Sequence, residues 1–129
     1  MINKIYKYLF FFLSLVFINL AHAEDGFFFE GKIIEYKEDN NLIYAKDNVR
    51  VTSMEGFEAF ANESRYYRSL NKLILVGDVK IIDNNKNIIL QSDEVEYQKN
   101  LELITSKNKT SINVNKNFFI ITKNINYFR

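Results

Sequence analysis

Cysteine, proline and tryptophan are absent from this chain of 129 residues, and histidine occurs once, as His22. Without cysteine there is no disulfide, so stability has to come from strand pairing and an apolar core. Because His22 lies in the N-terminal segment described below, the rest of the chain lacks the Ser-His-Asp and Cys-His nucleophiles and ordinary zinc sites. The four glycines form no phosphate-binding motif. We therefore expect no catalytic residue, no metal and no cofactor.

The charge of the chain is nearly balanced, with 17 Lys and Arg residues against 16 Asp and Glu residues. Removal of the N-terminal segment, which contains Lys4 and Lys7, changes the net charge only from +1 to −1. A nucleic-acid-binding domain normally carries a strong basic excess. The composition therefore predicts no nucleic-acid partner.

The first 23 residues have the three regions of a secretory signal peptide. Lys4 and Lys7 give a basic start, Leu9 to Ile18 is apolar except for Ser14, and Ala21-His22-Ala23 has the small-x-small form of a cleavage site. The apolar run is shorter than the roughly 20 residues that a spanning helix needs. The sequence favours cleavage after Ala23, with a retained membrane anchor as the alternative, and predicts one domain over residues 24–129.

After this segment, a sequence repeat of about 30 residues occurs three times, beginning at Asn41, Asn71 and Leu101. Three sets of residues recur at the same offset: Tyr67, Tyr97 and Tyr127; Ile43, Leu73 and Leu103; Ala59, Ile89 and Phe119. A repeat of this length predicts one small unit stacked on itself, each copy burying a face of its neighbour.

Each copy predicts two strands joined by a polar turn. In the second copy Leu73, Leu75, Val79 and Ile81 alternate along the chain, and in the first copy Ile43, Ala45, Val49 and Val51 do the same. Alternate residues of a strand share a face. The returning strands are Phe57 to Tyr67 and Ile88 to Tyr97, after turns rich in Asn, Asp, Ser and Gly. The prediction is an all-β domain.

The third copy departs from this pattern. Lys107, Lys109 and Ser111 fall on slots that are mostly apolar in the other copies, whereas Thr110, Ile112 and Val114 alternate in the opposite phase. The change of phase predicts a bulge, a frayed edge or the last unit of the stack.

Polar and aromatic clusters leave several alternatives open. Asp93, Glu94 and Glu96 are expected on a solvated outer face, with a carboxylate hydrolase as the remote alternative. The last third of the chain contains four lysines, Lys107, Lys109, Lys116 and Lys123. They are expected to protect an exposed sheet edge from pairing with another chain, or else to bind an anionic lipid head group. The repeat tyrosines are expected in the core, or else lining a lipid site. Phe27 to Phe29 are expected in a first strand or in a docking surface.

The repeated order of strand, Gly/Asp-Asn/Asp-Val, strand, polar turn and Tyr-ended strand resembles the OstA-like family of lipopolysaccharide export. The resemblance is carried by Ala45 to Val51, Leu75 to Ile81, Ala61 to Tyr67 and Ser92 to Tyr97, and it extends roughly from Phe27 to Tyr127. The family contains a soluble periplasmic bridge protein, a membrane-tethered component and the N-terminal domain of an outer-membrane translocon.

The resemblance implies a twisted, open β-jellyroll whose apolar groove shields the acyl chains of lipopolysaccharide in the periplasm, with outer-membrane association. It implies two partners, lipopolysaccharide and other OstA-like domains that pair edge to edge. The candidate groove residues are Ile43, Val49, Val51, Leu73, Leu75, Val79, Ile81, Ile89, Val95 and Tyr97.

Three readings of the chain remain open. A translocon would continue beyond Arg129 into a membrane barrel, so the chain is expected to be the severed N-terminal domain of a translocon, or else a short bridge protein. The third reading is a structural β-solenoid, in which the repeat builds a closed core and binds no lipid.

Overall fold

The computed structural model describes residues 26–129, and the predicted signal peptide lies outside the described residues. The described residues form eight β-strands and two short 3₁₀ turns, Arg68–Leu70 and Lys99–Leu101, with no α-helix. The strands are β1 (Phe27–Glu30), β2 (Ile33–Lys37), β3 (Leu42–Ser53), β4 (Phe57–Tyr67), β5 (Lys72–Asp83), β6 (Ile88–Gln98), β7 (Leu103–Val114) and β8 (Phe118–Phe128).

All eight strands belong to one antiparallel sheet. Strands β3 to β8 pair in chain order, and β1 and β2 both pair with the free side of β3. Phe29 of β1 lies opposite Val51, and Tyr36 of β2 lies opposite Ile43. The sheet is open, because β1 and β2 form one edge and β8 forms the other. The prediction of an all-β, jellyroll-like open sheet built from two-strand units is confirmed.

The strand register corrects the alignment of the three copies. The first pair of inward-facing residues in each copy is Ile43 with Tyr66, then Leu73 with Tyr97, then Ile104 with the partly buried Tyr127. The predicted repeat positions Tyr67 and Leu103 are therefore wrong by one residue.

The same correction replaces Ile89 by Leu90 and Phe119 by Ile120 as the counterparts of Ala59. The cause is one turn. Residues 84–87 join β5 to β6, whereas three residues, 54–56 and 115–117, join the strands of the other two copies. The spacing between copies is therefore 31 residues across this turn and 30 elsewhere.

The third copy keeps the phase of the others once this residue is counted. Thr110 takes the slot of Val79 and is buried, and Ile112 takes the slot of Ile81. The predicted change of phase is therefore wrong. Lys107 and Lys109 are exposed beside a register shift that the first two copies also contain.

A line of backbone irregularities crosses the sheet near the middle of the strands. The register shifts between Lys46 and Val49 in β3, and between Val76 and Val79 in β5. Asp47, Asn48, Gly77 and Asp78 have positive φ angles at these places, and Asn124 of β8 has one at the corresponding shift opposite Ser106 and Lys109 of β7. Bulges of this kind bend a strand, and Asn, Asp and Gly tolerate the left-handed backbone better than other residues.

The bend folds the long strands back on themselves, so that the sheet forms two layers. Ile88 lies beside Asp83, which is opposite Phe57, and Tyr97 lies nine residues further along β6. A straight strand of that length spans about 30 Å. The rings of Phe57 and Tyr97 are nevertheless stacked, with centroids 5.0 Å apart. The core therefore lies between the two halves of one sheet.

Backbone hydrogen bonds connect successive copies at the turns. The Lys99 N–H donates to the Asn71 carbonyl at 2.9 Å, and the Arg129 N–H donates to the Glu102 carbonyl at 2.8 Å. The copies thus stack through their turns as well as through the strand ladder.

Candidate functional site

The inner face of the bent sheet is the candidate binding face, and it contains nine of the ten predicted groove residues. These nine are all buried: Ile43, Val49, Val51, Leu73, Leu75, Val79, Ile81, Val95 and Tyr97. Ile89 is the exception. It lies half-buried on the outer face because its neighbour Leu90 takes the inner position. The prediction for Ile89 is therefore wrong, and its error follows from the extra residue in the preceding turn.

Side chains of the protein itself fill the inner face in the first two copies. Phe27 packs edge-on against Phe57, Tyr66 and Tyr97, with ring centroids 5.2–5.9 Å apart. Edge-to-face packing adds to the stabilisation that burial of such rings provides. Phe27 thereby fixes β1 on the core, whereas Phe28 is exposed. The prediction that Phe27 to Phe29 belong to a first strand is confirmed, since all three lie in β1.

In the third copy, the half of the inner face next to the β7–β8 turn is exposed to solvent, whereas Ile104, Thr110 and Ile125 are buried. Ile112 is partly buried against the core, and its partner across the ladder, Ile120, is 49% exposed. Phe118, on the same face of β8, is 67% exposed. The apolar surface is thus continuous from the filled core to an uncovered end. Such a surface is a binding-site candidate because soluble monomers rarely expose contiguous apolar area.

Buried hydroxyl groups line part of the interior near the bend. Ser92, Ser106 and Thr110 form a triangle with oxygen separations of 2.7, 2.7 and 3.0 Å. Thr110 also lies 2.8 Å from the Asn108 carbonyl, to which it can donate. Their hydrogen bonds are made with one another and with the backbone, which is how buried polar groups are normally satisfied. This cluster fits a structural role.

An ionic cluster closes the interior at the C-terminal end of β8. Arg129 Nε lies 3.1 Å from Asp83 Oδ2, and the two side chains are 7% and 2% exposed. The same guanidinium donates to the Tyr97 hydroxyl and to the Glu55 carbonyl, both at 3.1 Å. Its carbon lies 5.6 Å from the centre of the Phe57 ring, within cation–π range. Arg129 therefore holds β8 against the β3–β4 turn and β5.

This cluster shifts the pKa of several groups. Burial alone would raise the pKa of Asp83, but the hydrogen bond and charge of Arg129 and the Tyr127 hydroxyl outweigh it and lower that pKa. Burial, followed by the hydrogen bond to Glu102, raises the pKa of Tyr97 to about 12. Burial and the nearby Asp83 charge raise the pKa of Tyr127 to about 12. Both tyrosines are neutral hydrogen-bonding groups at physiological pH.

The carboxylates of β6 lie on the outer face, as predicted. Asp93 and Glu94 are exposed, and Glu96 forms an ion pair with Lys72 at 3.2 Å. Within residues 26–129 no group of three or more His, Cys, Asp or Glu side chains is placed to hold a metal ion.

Four exposed lysines surround the hairpin formed by β7 and β8: Lys107, Lys109, Lys116 and Lys123. Lys109 and Lys123 lie directly opposite each other in the ladder. Like charges directly opposite each other destabilise a pair of strands.

Sequence reasoning missed Phe118, Ile120 and Arg129. Phe118 to Ile121 are four apolar residues in succession. Because neighbouring residues of a strand point to opposite faces, two of the four had to lie on the outer face, and this pattern could have indicated an exposed apolar strand. No comparable signal marked Arg129, whose partners are 46 and 74 residues away in the chain.

Comparison with protein-family models matches no family, and comparison with curated proteins finds no match. None of the helical segments in residues 26–129 has the length and apolar character needed to cross a membrane.

Proposed function

We propose that this chain is a periplasmic lipopolysaccharide-binding and transport domain that shields lipid A acyl chains and passes the molecule towards the outer membrane. Of the proteins that the sequence resembles, it is most like the N-terminal domain of the lipopolysaccharide-assembly translocon. The observation that carries the proposal is the inner apolar face, which emerges uncovered at Phe118 and Ile120.

The energetics of acyl chains suit this face. Each CH₂ group contributes about 0.8 kcal/mol when it leaves water for an apolar surface. Phe118, Ile120 and the partly buried Ile112 offer such a surface at the end of the core. Binding of this kind needs no catalytic group in the chain, so we propose a carrier and not an enzyme.

The unpaired sheet edges support the proposed partners. One edge consists of β1 and β2, and the other is β8. An exposed edge accepts a further strand through backbone hydrogen bonds. Other OstA-like domains would pair at these edges and extend the apolar face from one domain to the next.

A photocrosslinking experiment tests the lipid site. The full chain carries a benzophenone amino acid in place of Phe118, on the inner face, and is irradiated with detergent-dispersed lipopolysaccharide. The matched control replaces Phe60, an aromatic residue on the outer face of β4. A lipopolysaccharide adduct at position 118 and none at position 60 is expected. Equal labelling, or no adduct at position 118 in a folded protein, would contradict the proposal.

A structural β-solenoid is the second candidate, and a specific observation favours it. Nine of the predicted groove residues are already covered by the protein's own side chains, and the turns of successive copies are hydrogen-bonded. If the chain is a structural β-solenoid, no adduct is expected at position 118 at any lipopolysaccharide concentration.

A further inference from the structure

The hairpin of β7 and β8 has a different charge from the rest of the protein. Residues 103–129 contain five basic residues and no acidic one, whereas residues 26–102 contain ten basic and fourteen acidic residues. Of the five basic groups, only Arg129 is paired internally, with Asp83. Lys107, Lys109, Lys116 and Lys123 take part in no ion pair within the part of the chain that the structure describes. The hairpin is therefore a basic end on an otherwise acidic protein.

The outer face of this hairpin combines the unpaired charge with exposed apolar side chains. Phe119 and Ile121 lie on the outer face of the layer next to the β7–β8 turn, opposite to Phe118 and Ile120. They are 63% and 56% exposed. Phe128 lies beyond the bend and so belongs to the outer face of the other layer. We call Phe119 and Ile121, together with Lys109, Lys116 and Lys123, the basic outer patch.

We propose that the basic outer patch docks the protein on an anionic lipid membrane surface. Aromatic and aliphatic side chains ringed by lysine are the combination that seats a protein in the headgroup region, where apolar groups enter and the ammonium groups meet lipid phosphates. The opposed pair Lys109 and Lys123 fits this role, because anionic headgroups relieve a repulsion that no carboxylate of the hairpin relieves.

Charge also sets the boundary of the patch. Asp78 and Asp93 line a shallow cleft of about 300 Å³ that Lys109 and Ile121 share. These carboxylates would be repelled by an anionic surface, so the contact is made on the β8 side of the cleft. Strand pairing at the β8 edge uses backbone groups in the plane of the sheet, and it leaves the outer face free for the membrane.

A site-specific fluorescence experiment tests this docking. Because the chain has no cysteine, Ile121→Cys in the full chain takes a single environment-sensitive fluorophore. The reference label is at Phe60→Cys, on the outer face of β4. Vesicles of phosphatidylcholine alone are compared with equimolar phosphatidylcholine and phosphatidylglycerol. We expect a blue shift at position 121 with the anionic vesicles only, and no shift at position 60.

Charge variants in the same labelled background give the second readout. Each lysine at a membrane surface contributes roughly fivefold in affinity, so Lys109→Gln with Lys123→Gln should weaken vesicle binding about 25-fold. The matched control, Lys46→Gln with Lys80→Gln, removes two lysines from the outer face of β3 and β5 and should leave binding unchanged. If Ile121→Cys lowers the thermal midpoint, Phe119→Cys carries the label instead.

Three results would overturn the proposal. They are no shift at position 121 with anionic vesicles, an equal shift with zwitterionic vesicles, and a shift without vesicles that grows with protein concentration, which would show that the patch binds a second copy. The vesicles contain no lipopolysaccharide, so this outcome is independent of the crosslinking result at Phe118.

Discussion

At the scale of single residues, Asp83 and Arg129 form an ion pair in which both side chains are buried. Asp83 Oδ1 also accepts the backbone N–H groups of Asn85 and Lys86 in the turn after β5. One carboxylate therefore fixes a turn with one oxygen and the end of β8 with the other. Losing one partner of a buried pair leaves the other charge uncompensated.

Replacement of Asp83 by Asn should destabilise the protein by about 2–4 kcal/mol at pH 7, because the buried Arg129 loses its carboxylate partner. The lowered pKa of Asp83 sets the pH dependence. The contribution of the Asp83 carboxylate to stability is complete at pH values above 3.8, the ordinary pKa of Asp. This contribution is lost as the pH falls through the lower pKa that Asp83 has in the folded protein. The stability difference between wild type and variant should therefore shrink below about pH 4.

Urea unfolding followed by circular dichroism at pH 7 and at acid pH measures this difference. Asp93→Asn is the matched control, since Asp93 is exposed in β6, and it should change the unfolding free energy by less than about 0.5 kcal/mol. A difference for Asp83→Asn that stays constant down to pH 2 would contradict the electrostatic explanation.

At the scale of the elements, the bend across the strands depends on residues that accept a positive φ. Gly77 has φ +82°, and a Cβ atom placed there would lie 2.5 Å from Asn62 Nδ2 and 2.9 Å from Asn62 Cβ. Asn62 belongs to β4, so the glycine permits the close approach of two neighbouring strands at the fold line.

Gly77→Ala should therefore cost roughly 1–3 kcal/mol of unfolding free energy, from backbone strain and from displacement of Asn62. Gly31→Ala is the control, because a Cβ at Gly31 meets no atom closer than 3.4 Å. Thermal unfolding of the two variants measures the contrast. Equal midpoints would show that the bend does not need a glycine.

At the scale of the whole molecule, coverage of the core decreases from the middle of the sheet to β8. Strand β5 is paired on both sides, and its inner residues are buried. Strand β8 is an edge, and Phe118 to Ile121 are exposed on both faces. Local opening requires less free energy where fewer apolar contacts are lost.

Hydrogen exchange in dilute solution should follow this gradient. Amides of the β5–β6 hairpin should be protected roughly tenfold or more above those of the β7–β8 hairpin. Lipopolysaccharide or anionic vesicles should slow exchange in β8 selectively. Equal protection of the two hairpins in the free protein would show that β8 is already covered by a neighbour.

The sequence by itself determined the all-β class, the two-strand unit and which residues of the first two copies share a face, because period-two alternation around turn residues is a local property. Val49 and Val51, and likewise Leu73 and Leu75, were grouped on one face on that basis. Alternation did not decide which face is the inner one, since both faces of Leu73 to Ile82 are fairly apolar. The alignment of the copies failed at Ile89 and at Tyr67, because a single added turn residue changes the spacing without changing the pattern.

Only the tertiary structure decided where the apolar face is filled and where it is open. Alternation shows which side chains share a face, but coverage depends on strands brought together by the bend, such as Tyr97 against Phe57. The same holds for Asp83 with Arg129, which are joined by folding across 46 residues. The uncovered end at Phe118 lies on β8, which is an edge of the sheet with no strand paired beyond it among the described residues.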